Sequence, residues 1–493
     1  MASTAVSKQP SPPNGESSAM FRPPVNRAMR VLDRSFFHKS IPVSAATVFE
    51  NKDIMRVRKR LVASKDLLDL PRYNVCRVDP PRSLVVGNGQ SLELSNSDLE
   101  TRKCLLLGVN IKHDDITTWS PTINELVNEG SVGLGLYTVQ LDYSHWTYSD
   151  IIDAILPEED VERGDAPEGF TLTGHVLHLN LRERWAPYKH LIAEILLDKN
   201  PNTRTVINKT QDVGSESQFR TFPFEILAGE NDMNVTVHEQ GCEFKFDFSR
   251  VYWNSRLETE HRRLVNTFKE GELVADVMAG VGPFAVPAGK KKIFVWANDL
   301  NPHGWEVMEQ AIAHNHVSSF VSAYNLDGRE FIRETANLMD GPVHKAIIWP
   351  KAHRSRTNPE EKPLPPPRTF VRPATVDHFV MNLPATAIDF LDAFVGVYTG
   401  RERFFEPHTD RKLPLIHVYC FSGHSDDERN EHVDICQRIS DRLGFTITAD
   451  DTVGGSGNPE RELHIHNVRL VSPNKQMFCA TFRLPQEVAF KSI

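Results

Sequence analysis

The sequence has no paired cysteines. Its six cysteines, Cys76, Cys104, Cys242, Cys420, Cys436 and Cys479, are scattered without a C-x-x-C motif, which argues against a disulfide framework, a zinc ribbon and a redox dithiol. They read as reduced thiols. No apolar run reaches the roughly 18 residues that a bilayer-spanning helix needs, and no internal repeat points to a solenoid or propeller. The close histidine pairs, His314 with His316 and His464 with His466, lack Cys or carboxylate partners at metal spacing, so they read as surface or satisfied side chains and no metal is expected. Positive charge is also scarce. The 56 Lys and Arg against 65 Asp and Glu leave a net charge of −9, unfavourable for a whole-surface nucleic-acid binder, whose phosphate contacts need cations. The deficit is uneven: residues 1–60 carry eleven basic side chains against four acidic ones. That segment suits an anionic partner, although such runs are commonly a solvated face.

A chain of 493 residues is too long for one ordinary core, and a prior of ~150 residues per domain suggests about three. Residues 1–19, rich in Ser, Pro, Gly and Asn, are expected to be a disordered tail. The Arg-rich, acid-poor "MFRPPVNRAMRVLDRSFFHKS" that follows resembles a mitochondrial presequence if translation starts at Met20, or else begins the first folded segment. Residues 20–160 mix strand patterns ("KCLLLGVN", "LGLYTVQLDY") with a helix in "YSDIIDAILPEED" that stops at Pro157. A middle α+β domain is expected over 165–255, with "TLTGHVLHLNL" as a strand, "YKHLIAEILLDKN" as a helix and further strands in "TRTVINKT" and "MNVTVHEQGCEFKFDF". Over 256–493, strands such as "LVADVM", "KIFVWAND", "HFVMNLP" and "LIHVYCFS" alternate with helical segments. This alternation predicts an α/β fold, a doubly wound and mostly parallel sheet that binds ligands at the carboxyl ends of its strands. The Pro- and charge-rich stretch 351–373 interrupts it and is expected to be an exposed insertion loop.

The chemistry concentrates in "DVMAGVGPFAVPAG", residues 276–289. Gly280, Gly282 and Ala285 satisfy G-x-G-x-x-A, which alone is weak evidence for a nicotinamide or flavin nucleotide. Asp276 closes the strand before the turn, the next strand ends in Asp299 and Leu300, and the third is followed by Asp327 and Gly328. Each acid could be only a helix N-cap. Three at successive strand ends, with no second glycine set or Arg cluster for a pyrophosphate, favour a ligand with a ribose and a cationic amino-acid tail, which S-adenosylmethionine has. The fourth strand ends in Asn382, Leu383 and Pro384; an amide with both donor and acceptor before a stiff Pro suits the edge of a nucleobase.

These motifs, together with "VYWNSRLETEHRR", "NLPATAIDFL", "GHVLHLNLRE", "LLDKNP", "TVINKT" and "RTFPFEILAGE", closely resemble the archaeal and eukaryotic tRNA (guanine-N1)-methyltransferases that modify position 37. The likeness covers roughly residues 165 to 485 and is looser before them. It implies a class I, Rossmann-like S-adenosylmethionine-dependent methyltransferase domain preceded by two smaller α+β domains. It also implies methyl transfer to N1 of guanosine-37, with roles in reading-frame maintenance and the first step of wybutosine synthesis. By resemblance, Arg220 stabilises negative charge on guanine O6 and Glu260 is the base that removes the N1 proton. His261, Asp299, Leu300, Asp327, Gly328 and Asn382 are implied cofactor contacts, Asn382 and Pro384 border the target base, and Tyr252 is a candidate to pack on it. Met278 departs from the aromatic common at its position.

Guanine N1 is protonated at neutral pH, so a positioned carboxylate is worth about 10²–10⁴-fold and a fixed Arg toward O6 adds a few kcal/mol. Against these roles, Glu260 with Arg263 could be an ordinary i,i+3 pair and Arg220 a phosphate ligand. The rivals are an aminocarboxypropyltransferase of the wybutosine pathway using the same cofactor, a non-catalytic tRNA-binding protein, and a dehydrogenase. The expected partner is tRNA, engaged at the anticodon loop by the catalytic domain and at its body by the N-terminal domain. A monomer with dual residence, in mitochondria and in nucleus or cytoplasm, is expected.

Overall fold

The structure, a computed structural model, describes residues 20–68, 70, 76–77, 81–164, 166–210, 219, 221–350, 365–425, 427–452 and 456–492. The expected tail 1–19 and the 351–364 part of the expected insertion lie outside the described residues, as does Arg220. Among the described residues no helix is long and apolar enough to cross a membrane. The chain divides into two compact units: one takes residues 20–168 together with Arg182–Asn200, the other Gly169–Leu181 and the chain from Pro201 onward.

The first unit is built on a six-stranded sheet whose central pair, Lys39–Val48 and Val132–Leu141, runs antiparallel in register from Lys39 opposite Leu141 to Val48 opposite Val132. Helices Ile54–Ala63 and Pro121–Asn128 lay Val57, Leu61, Ile123 and Leu126 on one face of that sheet, against Val48 and Leu105. Helix Tyr148–Ile155 opens with a Thr147/Asp150 capping box and ends before Pro157. The Arg-rich entry segment is folded here, with Met29, Leu32 and Phe37 buried. Helix Lys189–Lys199, which the sequence pattern groups with the 165–255 module, belongs to this unit and buries Leu191, Ile192, Ile195 and Leu196.

The second unit opens on a four-stranded sheet, in the order Phe224–Gly229, Thr205–Lys209, Val176–Leu179, Phe170–Thr173. The alternation of "TLTGHVLHLNL" predicts one strand; the chain instead makes a hairpin of Phe170–Thr173 with Val176–Leu179. Gly174 breaks the run: its φ is +57° and a Cβ there would stand 2.9 Å from Val235 Cβ. Strands Asn234–Glu239 and Cys242–Asp247 form a second hairpin, turned by Gln240 and Gly241, both at positive φ.

Seven strands then form the main sheet in the order Val321–Tyr324, Phe294–Asn298, Leu273–Asp276, His378–Met381, Leu415–Ser422, Lys475–Arg483, His464–Ser472. The first five are parallel and the last two are an antiparallel hairpin inserted against Leu415–Ser422. The parallel strands bury both faces, as a doubly wound sheet requires: Leu273–Asp276, Phe294–Asn298 and His378–Met381 are buried throughout. The order reverses between Leu273–Asp276 and His378–Met381, which opens a crevice at their carboxyl ends. The 351–373 stretch is corrected in its described part: Arg368–Val371 is a strand antiparallel to Lys345–Ile348, where Thr369, Phe370 and Val371 restore strand propensity after the prolines.

Candidate active site

The glycine turn follows strand Leu273–Asp276 and feeds helix Ala285–Lys290. Gly280 at φ +58° and Gly282 at φ +91° take conformations that a side chain resists. The Gly280 amide donates to Asp299 Oδ2 at 2.7 Å, and the Asn301 amide donates to Asp299 Oδ1 at 2.9 Å. Asp299 thereby ties the first turn to the second. Asn298 does the same one residue earlier: its Nδ2 donates to the carbonyls of Val277 and Leu326, each at 3.0 Å, and its Oδ1 accepts from the Leu326 amide at 2.9 Å. Three strand ends are thus fixed to one another by two adjacent side chains.

A cavity of about 120 Å³ opens at this point, its polar lining drawn from Gly280, Asn298, Asp299, Asn301, Asp327 and Asn382, with Tyr252, Met278, Leu300, Leu383 and Phe390 among its apolar walls. Of the residues singled out from sequence, Tyr252, Gly280, Asp299, Leu300, Asp327, Gly328 and Asn382 meet here. Asn382 Oδ1 has no hydrogen-bond partner among the described residues. Asp276, fully buried at the end of the strand before the turn, does not line the cavity, and neither of its carboxylate oxygens has a partner among the described residues. Burial foremost, then the neighbouring Asp299, hold Asp276 well above the usual carboxylate range; the Met278 amide opposes this from outside hydrogen-bond geometry. Burial also raises Asp299, against the two amides it accepts from. Asp327 caps helix Gly328–Leu338 by accepting from the Arg329 amide at 2.9 Å, so it is an N-cap and a cavity residue at once. Buried acceptors and acids with no internal partner are groups that a bound ligand satisfies. Gly282 and Pro384 do not line the cavity; the Pro384 carbonyl accepts from the Phe421 amide at 3.0 Å.

Glu260 and His261 sit on helix Glu258–Val265 and are buried. Glu260 accepts from Arg263 Nε and Nη2, each at 2.7 Å, and from the Tyr419 hydroxyl at 2.7 Å. The i,i+3 pair is therefore real. The carboxylate is also reached from two strands of the main sheet, by Tyr419 and by His466, whose Nε2 is 3.4 Å away. His261 Nδ1 lies 2.6 Å from Glu239 Oε1. Neither Glu260 nor His261 lines the cavity. Phe284, at the end of the glycine turn and itself outside the cavity lining, packs its ring 4.7 Å from that of His261 and 6.0 Å from that of Tyr419. Sequence reading missed Tyr419, Asn298 and Phe390; only Asn298, a polar residue closing an apolar strand, leaves a signal.

The parallel sheet, the glycine turn and the strand-end acids define a Rossmann-like methyltransferase. Residues 235–347 match the TRM5/TYW2 methyltransferase domain and residues 148–232 the TYW2 N-terminal domain. The tRNA (guanine(37)-N(1))-methyltransferase of Aspergillus fumigatus is 61% identical over 478 residues, 96% of each chain. That of Schizosaccharomyces pombe is 42% identical over 465 residues, 94% of this chain and 95% of the relative. Among solved structures, Trm5b from Pyrococcus abyssi shares the fold with a TM-score of 0.53 at 20% identity, covering 90% of this chain and 99% of its own. An aTrm5 structure solved in complex with tRNALeu gives 0.53 at 16%, covering 89% and 99%. The chain belongs to the tRNA (guanine(37)-N(1))-methyltransferase family.

Proposed function

We propose that this chain transfers a methyl group from S-adenosylmethionine to N1 of guanosine-37 in tRNA, with Glu260 as the base and Arg220 as the group that holds charge on O6. The observation that carries the reading is the unsatisfied polar set at the strand ends: the Asp276 carboxylate and Asn382 Oδ1, both without partners among the described residues, around a glycine turn. Asp299 and Leu300 would hold the ribose side of the cofactor, Asp327 and Gly328 the adenine side, and Asp276 the end nearest the turn. The cofactor supplies an activated methyl. Everything else is done by the chain. The cavity is small beside the roughly 300–1,000 Å³ of ordinary ligand pockets, so its walls must open when a nucleoside enters.

Guanine must lose its N1 proton as the methyl arrives, and a base gains most by being aimed. Arg263 and Tyr419 fix the Glu260 carboxylate from two directions. Burial opposes the charge of Arg263, yet the hydrogen bond and charge of Glu260 hold its guanidinium above the ordinary value, so Arg263 stays a cationic donor that aims the carboxylate. Asn382 in the cavity wall borders the flipped base, Pro384 just outside the lining stiffens the turn that carries Asn382, and Tyr252 packs on the face of the base. The test is the first-turnover rate of Glu260→Gln and Arg220→Ala: the first should fall about 10²–10⁴-fold with cofactor affinity kept. An unchanged rate for Glu260→Gln would remove the base from this account.

The tRNA body is read as the partner of the first unit, through its basic entry segment, and the protein as a monomer. A role ahead of wybutosine synthesis and dual residence in mitochondria and in nucleus or cytoplasm complete the proposal. Residues 20–45 fused to a fluorescent reporter should reach mitochondria; exclusion from them would end the targeting part.

A further inference from the structure

A buried base must dispose of its proton. The Glu260 side chain is 6% exposed and both its oxygens are engaged; once protonated, it would leave Arg263 as an unpaired cation in a half-buried site. Its neighbours differ in what they can accept. Arg263 is permanently charged. Burial first, then Cys479 and Glu260, push the Tyr419 phenol well above its usual range, so it remains a donor. Burial, then Glu260, push the Cys479 thiol up to about 12, and it too stays protonated. His466 is different. Its Nε2 stands 3.4 Å from Glu260 Oε2, the oxygen that Tyr419 does not use, and its side chain is 34% exposed. Among the described residues that touch this carboxylate, it alone is both an imidazole, able to take up and release a proton, and open to water.

We propose that His466 is the proton outlet of Glu260, a positioning residue for the methyl transfer; this rests on the reading of Glu260 as the base. As the N1–C bond forms and the sulfur–methyl bond breaks, the N1 proton passes to Glu260 Oε2 and on to the neutral Nε2 of His466. The imidazolium then loses a proton to water. Glu260 is again the carboxylate paired with Arg263, and one proton is released for each methyl moved. With the Glu260 carboxylate held by Arg263 and Tyr419, proton transfer requires the His466 ring to close the 3.4 Å separation to hydrogen-bond length. Burial foremost, then the charge of Arg263, hold His466 below the ordinary imidazole value, so the ring is neutral and accepts. The other charged or titratable groups facing it are His464 and Glu428. His464 stacks at 6.4 Å between ring centroids, and Glu428 Oε1 accepts from Asn467.

The experiment compares single-turnover methyl transfer, at saturating S-adenosylmethionine, for the wild type, His466→Gln, His466→Ala and Glu260→Gln across the pH range in which an imidazole titrates. The wild-type rate should fall on the acid side as His466 takes up a proton. His466→Gln should be slower by about tenfold or more, with its acid limb displaced to lower pH and S-adenosylmethionine affinity unchanged. Added imidazole should restore His466→Ala. A His466→Gln enzyme whose acid limb stays in place, or a His466→Ala enzyme indifferent to imidazole, overturns the outlet. If Glu260→Gln is slow while both His466 variants match the wild type, only the outlet fails; if Glu260→Gln is itself unimpaired, the reading beneath it fails.

Discussion

At the scale of single residues, the site is a set of polar groups that the fold leaves unpaired. Asp276 is the extreme case, and its cost is testable. Its folded pKa lies above the unfolded one, so the folded chain binds the extra proton and stability falls as pH rises from the usual carboxylate range through the raised value. Asp276→Asn should remove that slope and stabilise the ligand-free protein by about 1–3 kcal/mol at neutral pH, while weakening S-adenosylmethionine. Thermal melts at several pH values check the first part and calorimetry the second. A lower melting temperature for the variant would show that Asp276 has an internal partner after all. Asn382→Ala should lose the contact its Oδ1 offers, about 0.5–1.5 kcal/mol of cofactor or base binding. These residues were legible in sequence because each closes an apolar strand. Tyr419 and His466 were not, since each lies inside a strand whose pattern records only burial, and only the sheet order brings them to Glu260.

At the scale of elements, Gly282 in the turn and Gly328 in the cavity wall differ in what they protect. Gly282 stands at φ +91° with Val286 Cγ2 3.1 Å from an added Cβ, so Gly282→Ala should lower stability by roughly 1–2 kcal/mol through backbone strain. Gly328 has no such strain; its Cβ would meet the Phe390 ring at 3.1 Å and Val277 at 3.3 Å. Gly328→Ala should therefore press on the Phe390 ring, lowering the melting temperature less than Gly282→Ala does and weakening cofactor binding more. If both variants lose stability equally, the cavity-wall role of Gly328 is wrong. The same scale shows where pattern reading stops. The strands of the main sheet were legible because they are apolar runs between turn residues. The Phe170–Leu179 hairpin was not, because the alternation of the two strands continues in phase through Gly174.

At the scale of the whole molecule, the chain's division constrains any dissection. A cut near residue 160 leaves helix Lys189–Lys199 behind without its unit, while a cut at 201 removes Phe170–Thr173 and Val176–Leu179 from their sheet. A fragment from Gly169 onward, with Arg182–Asn200 replaced by a flexible linker, keeps the four-stranded and seven-stranded sheets whole and should bind S-adenosylmethionine like the full chain while losing tRNA affinity. Loss of both activities would show that the second unit does not stand alone. This interleaving was invisible in composition, because an apolar helix reads the same whichever core receives it.

The most direct test of the account is transfer of labelled methyl from S-adenosylmethionine to a tRNA transcript carrying G37, beside its A37 counterpart, with the product nucleoside identified. N1-methylguanosine is expected from the G37 transcript and no product from A37. Label arriving only from the aminocarboxypropyl carbons of the cofactor, or tRNA binding with no transfer at all, would contradict it.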